Sequence, residues 1–203
     1  MLNLREYSET PTLLADYLPW ACLVAPGVVL NKDGSFQTIF KYRGPDLESS
    51  TDEELVSINA RVNNVLRRLG SGWALFFEAQ REPVHDYPDC AFPDAASWLV
   101  DQERGLQADE AGSRFESHYY LTLLWLPPAD ATGRAEKALI TRATTEDAAT
   151  WRHRLETFQS QAMRVFDLLA TCLAELVRLD DDGTLTYLHT AISTKRHPVV
   201  TPD

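Results

Sequence analysis

The stretch Leu18–Arg43, LPWACLVAPGVVLNKDGSFQTIFKYR, narrows the folds open to this chain more than any other. Two apolar runs rich in β-branched residues are joined by Asn31-Lys32-Asp33-Gly34-Ser35. A polar turn with glycine where a positive φ is needed, set between two such runs, reads as a β-hairpin. Strands are expected over 21–31 and 35–42, with Pro26-Gly27 marking a bulge or an edge position in the first. A lone hairpin is marginal in water, so the rest of the chain must cover it.

The covering elements follow from periodicity. Thr10-Pro11 reads as an N-cap with proline at the first helical position, opening a short helix with Leu13, Leu14, Tyr17 and Leu18 that Pro19 stops. Thr51 and Glu54 have capping-box spacing before a stripe of Leu55, Ile58, Val62, Val65, Leu66 and Leu69, closed by Gly70. Trp73–Ala79 shows little alternation and predicts a central strand. Asp94 caps a helix through Gln107 that is expected to turn Trp98 and Leu99 inward. Phe115–Leu126 is apolar on both faces, which predicts a strand covered on both sides; Pro127-Pro128 ends it. Residues 129–144 match nothing regular and are expected to form a mobile insertion. Thr145–Leu179 predicts a long helix approaching ~50 Å. Asp180-Asp181-Asp182-Gly183 is expected to be a solvated turn, and Leu185–Ser193 a last strand. The order α-β-β-α-β-α-β-α-β gives an α+β fold: a mainly antiparallel sheet with helices packed on it.

Composition bounds the function. The 203 residues carry a net charge of −11 and a pI near 4.9. A phosphate-gripping protein needs a positive face, and so does one that lies on an anionic membrane, so neither ligand suits this balance. No apolar run approaches the ~20 residues of a membrane span. The N-terminus lacks the basic and apolar regions of a signal peptide. These features place the chain in the cytoplasm. Cys22, Cys90 and Cys172 are widely spaced and read as reduced thiols. His85, His118, His153, His189 and His197 form no pair with metal-ligand spacing.

Little catalytic chemistry is visible. Gly70-Ser71-Gly72-Trp73 lacks the lysine and the following helix of a phosphate-binding loop, so it reads as a helix-to-strand turn. The Asp180–Asp182 triplet has Ala191 where a calcium loop needs its twelfth-position glutamate. Glu116 and His118, two apart on one strand face, are the candidate acid–base pair of a small acidic hydrolase. Trp151-Arg152-His153-Arg154 mixes aromatic and base as stacking sites for nucleic acid do, making Arg152–Arg154 the candidate relay surface. Neither candidate has the supporting groups of a complete site, and no catalytic, cofactor-binding or metal-ligating residue is assigned.

Several ordered blocks carry a resemblance. They are Leu18-Pro19-Trp20 with Val28–Phe36; Arg43–Leu47; Leu66–Ala74; Phe115-Glu116-Ser117 with Tyr119, Leu121, Thr122, Trp125 and Pro127-Pro128; and Thr186–His189 with Ser193–His197. In order and spacing these blocks resemble the N-terminal domain of the CagE/TrbE/VirB family of conjugation and type IV secretion ATPases, closest to its TrbE branch. The resemblance implies that residues 1–203 are the N-terminal domain of a larger protein, whose absent motor domain binds ATP and Mg²⁺ and powers pilus assembly and substrate transfer. The family's catalytic residues match no position here. What the resemblance implies for this domain is a non-catalytic role. It would dock the motor on inner-membrane subunits of the secretion system and on neighbouring copies of itself, at the cytoplasmic face of the inner membrane.

Overall fold

The computed structural model describes residues 12–46, 48–84, 87, 90–110, 114–128, 145–193, 195 and 197–201. The expected cap at Thr10-Pro11 and the expected insertion at 129–144 lie outside them. The fold is α+β. In chain order the elements are α1 (Leu14–Tyr17), β1 (Trp20–Ala25), β2 (Val28–Asn31), β3 (Phe36–Arg43), α2 (Asp52–Leu66), β4 (Trp73–Val84), α3 (Ala95–Glu110), β5 (Arg114–Trp125), α4 (Thr145–Ala170), β6 (Glu175–Arg178) and α5 (Asp181–Ile192). The six strands form one sheet in the order β1-β2-β3-β5-β4, with β6 also on β3. β2 pairs antiparallel with Phe36–Thr38 and β6 antiparallel with Phe40–Arg43, so the two share the length of β3.

Chain contacts divide the molecule into two units. The larger comprises Met1–Phe77 and Tyr120–Asp203, the smaller Glu78–Tyr119.

In the larger unit the hairpin forms as the sequence predicts. Gly34 takes φ +84°, its N–H donates to the Asn31 carbonyl at 3.0 Å, and the Asn31 N–H donates to the Ser35 carbonyl at 2.8 Å. Alternation then sorts the side chains of β2 and β3 onto two faces. Val28, Leu30, Phe36 and Phe40 enter one buried cluster with Leu121, Leu123 and the inner face of α4; Val29 and Ile39 enter another with Leu188 of α5. β5 contributes to both, so it is covered on both sides, as its two apolar faces require. In the first cluster Phe36, Trp125, Trp73 and Phe158 close a cycle of stacked rings with centroids 5.6–6.3 Å apart. Such pairs contribute about 0.5–1.5 kcal/mol each beyond their buried area. α2 forms its capping box, with the Glu54 N–H donating to Thr51 Oγ1 at 3.3 Å and the Thr51 N–H to Glu54 Oε2 at 2.9 Å. Leu55, Ile58, Val62, Val65 and Leu69 are its sheltered stripe.

Four expectations change. First, Pro26-Gly27 is no bulge but the two-residue turn of a second hairpin, with Ala25 opposite Val28. Proline presets φ at the first turn position and glycine supplies the positive φ, +62°, at the second. Second, β4 ends the strand order instead of lying centrally, and Phe76 and Phe77 are more than half exposed. Third, the long helix stops at Ala170, and residues 175–178 are β6. Leu173, Leu176 and Val177 fit a helical period, but Leu176 and Arg178 turn inward and Val177 outward at a strand's period of two. Fourth, Leu185–Ser193 is helix α5 through Ile192, not a strand. Asp180 is its N-cap, accepting from the Gly183 N–H at 2.8 Å, and Asp181 and Asp182 occupy its first turn, where the dipole favours them.

Candidate docking surface

The acidic triplet is a local clamp. Asp180 caps α5. Asp181 Oδ1 accepts from the Gly27 N–H at 2.7 Å. Asp182 Oδ1 accepts from the N–H and hydroxyl of Thr201, each at 2.8 Å, and these bonds hold its carboxyl below the usual carboxylate range. The Pro26-Gly27 turn is gripped further: Thr38 Oγ1 donates to the Gly27 carbonyl at 2.9 Å, and the Arg178 guanidinium donates to the Pro26 carbonyl. The backbone approach is so close that a Cβ on Gly27 would stand 2.3 Å from the Leu179 carbonyl oxygen. These carboxylates therefore fasten backbone.

The other candidates separate in space or in chemistry. Gly70-Ser71-Gly72 is the turn into β4; Gly72 takes φ +86° and its carbonyl accepts from the Leu126 N–H at 2.8 Å. Arg152 and His153 are exposed on α4, whereas Arg154 is buried, so the three do not make one basic surface. In the smaller unit His118 Nδ1 lies 3.9 Å from Glu116 Oε1, with Glu116 largely in water. That distance exceeds the ~2.6–3.2 Å of a working proton relay. Among the described residues no three His, Cys, Asp or Glu side chains gather to hold a metal, and no helix is long and apolar enough to cross a membrane. Cys22 and Cys90 are exposed and Cys172 is buried.

A different kind of site emerges in the smaller unit. Asp94 caps α3 as its sequence predicts, accepting from the Ser97 N–H and hydroxyl at 2.8 Å, and both bonds lower its pKa. Beyond the cap the expectation fails. Trp98 is 52% exposed, Leu99 64% and Leu106 61%. The sheltered strip of α3 is instead Asp101, Gly105 and Ala108. Tyr87 lies along it: its hydroxyl donates to Asp101 Oδ1 at 2.7 Å, which raises its pKa, and a Cβ on Gly105 would stand 3.6 Å from its ring. At 100° per residue, Trp98, Leu99 and Leu106 fall within an arc of about 100° that excludes this strip. The helix is thus amphipathic with its large apolar residues facing water. Two sequence signals foretold it: a glycine among the turns that would have to pack, and a local excess of charge. The smaller unit holds ten Asp and Glu against three Arg, a net −7 out of the chain's −11.

Comparison with known proteins sets this surface in a family. Residues 27–133 match the model of the type IV secretion system ATPase VirB4/TrbE, N-terminal domain. The chain belongs to that family. The match begins at the glycine of the clamped turn and takes in all of the smaller unit. The chain is 35% identical over 177 residues to "Conjugal transfer protein TrbE" of Rhizobium radiobacter, covering 86% of this chain and 22% of that protein. It is 39% identical over 130 residues to the first portion of a split "Probable conjugal transfer protein TrbE" of Sinorhizobium fredii (strain NBRC 101917 / NGR234), covering 63% of this chain and 87% of that one. The chain therefore corresponds to about a fifth of the first relative's length. As a VirB4/TrbE N-terminal domain, it joins a buried sheet core to a separate acidic unit with apolar side chains in solvent.

Proposed function

We propose that these residues are the non-catalytic docking domain of a TrbE-like conjugal transfer ATPase. In this reading ATP hydrolysis with Mg²⁺ belongs to a motor domain outside them, and powers pilus assembly and DNA or protein transfer. The domain holds that motor at the cytoplasmic face of the inner membrane through inner-membrane subunits of the secretion system, and helps copies of the ATPase assemble. The observation that carries the reading is the uncovered apolar face of α3, since large exposed apolar side chains mark interaction surfaces.

The test is a Trp98→Ala, Leu99→Ala double variant in the full-length ATPase of a conjugative system. Buried aromatic anchors are worth about 2 kcal/mol or more at interfaces, roughly a 30-fold loss of affinity. Co-purification with the inner-membrane subunits and transfer frequency should both fall, while ATP turnover of the purified protein stays at the parent's level. Unchanged co-purification and transfer would refute the docking role. ATP hydrolysis by purified residues 1–203 would refute the non-catalytic one.

A further inference from the structure

We infer that the exposed face of α3 receives a basic, amphipathic apolar segment of a different protein. The inference rests on the docking reading above and names the chemistry of the occupant. The face offers Trp98, Leu99 and Leu106 within one arc, enough to seat the apolar stripe of a helix. Around it the smaller unit carries −7 in 42 residues, against −4 over the other 161. That charge selects among occupants. A second copy docking face to face would set the same carboxylates against each other, since a two-fold contact is self-complementary. An anionic lipid surface is repelled for the same reason. A segment with lysine or arginine flanking its apolar residues gains on both counts: its stripe covers the uncovered side chains, and its flanks meet the carboxylates.

The molecule supplies its own reporter. Of its five tryptophans only Trp98 is exposed; Trp20, Trp73, Trp125 and Trp151 are sheltered. The probe is a synthetic 18-residue amphipathic helix of leucine and lysine, titrated into the full chain, with a leucine–glutamate helix of the same pattern as control. The expected result is a saturable blue shift of the fluorescence with the lysine peptide alone. Its apparent affinity should fall about tenfold or more from low to high salt, as screening of surface charge requires. Leu99→Ala with Leu106→Ala, both fully solvated changes, should weaken binding at least tenfold without changing the circular dichroism spectrum. Glu103→Lys should weaken it less and flatten the salt dependence. Equal binding of both peptides, or full binding by the Leu99/Leu106 variant, overturns the inference. So does concentration-dependent dimerisation that the Leu99/Leu106 variant abolishes. Preferential binding of phosphatidylglycerol vesicles over phosphatidylcholine vesicles, lost in that variant, assigns the face to lipid and also overturns it. These results leave the docking reading standing, because transfer frequency and co-purification test that separately.

Discussion

The two units of this chain spend their apolar residues in opposite ways. In the larger unit Phe36, Phe40, Phe158, Leu121 and Leu123 are 0–2% exposed and close on one another across the sheet. In the smaller unit Trp98, Leu99 and Leu106 stand in water while a strip of Asp101, Gly105 and Ala108 does the packing. Hydrophobicity alone does not distinguish the two sets. Neighbours do: the larger unit's aromatic residues meet residues brought from far along the chain, whereas α3 meets chiefly the loop residue Tyr87. The difference teaches that an amphipathic pattern reports only that a face wants covering; whether the same chain covers it is a matter of topology.

The sharpest way to break this contrast is to truncate one side chain from each unit. Phe158→Ala removes a ring from the stacked cycle and should cost about 3–5 kcal/mol of stability. Leu99→Ala should stay within about 0.5 kcal/mol, as solvated substitutions do. Urea denaturation followed by circular dichroism checks both, and a cost at Leu99 comparable to that at Phe158 would erase the distinction.

A smaller effect tests how the larger unit is fastened. Gly27→Ala forces a non-glycine residue to φ +62° and drives a Cβ against the Leu179 carbonyl. Gly34→Ala meets the same kind of backbone strain at φ +84° but has nothing within 4 Å of the new atom. Left-handed strain alone is worth about 1–3 kcal/mol. Gly27→Ala should therefore lower the denaturation midpoint more than Gly34→Ala, and the excess measures the close approach. Equal losses would mean that the clamp yields freely.

The weakest effect is electrostatic and appears in both units. Asp182 in the larger and Asp94 in the smaller have carboxyl pKa values lowered from 3.8 by hydrogen bonds, from Thr201 and Ser97 respectively. A lowered folded-state value stabilises above the unfolded value and is lost as pH falls through the folded one. The tail around Thr201 and the first turn of α3 should thus loosen only below about pH 4. Amide hydrogen exchange should show α3 opening over a longer stretch, because little else holds it. Loosening of either site already at pH 6 would contradict the assignment.

The sequence made much of this legible. Local chemistry was the reliable guide: the Asn31–Ser35 turn, the Thr51–Glu54 box, the Asp94 cap and the doubly apolar β5 all formed as read. Failures came where two periods fit the same residues or where distant chain decided the outcome. Leu173, Leu176 and Val177 satisfied a helix until Phe40–Arg43 offered a strand partner. Asp180–Gly183 looked like a turn because caps and turns favour the same residues. The inward placement of Trp98 and Leu99 assumed a neighbour that the described structure does not bring to them. Of the candidate site residues, Arg152–Arg154 were readable as basic but not as split between surface and interior.

The clamp on Gly27 also sets a timetable. Its partner Asp181 lies 154 residues downstream. At translation speeds of about 5–20 residues per second, the first hairpin waits roughly ten to thirty seconds for the carboxylate that fastens it. A nascent chain must shelter its aromatic strands through that interval, and a message cut short before codon 181 yields a sheet that cannot be locked.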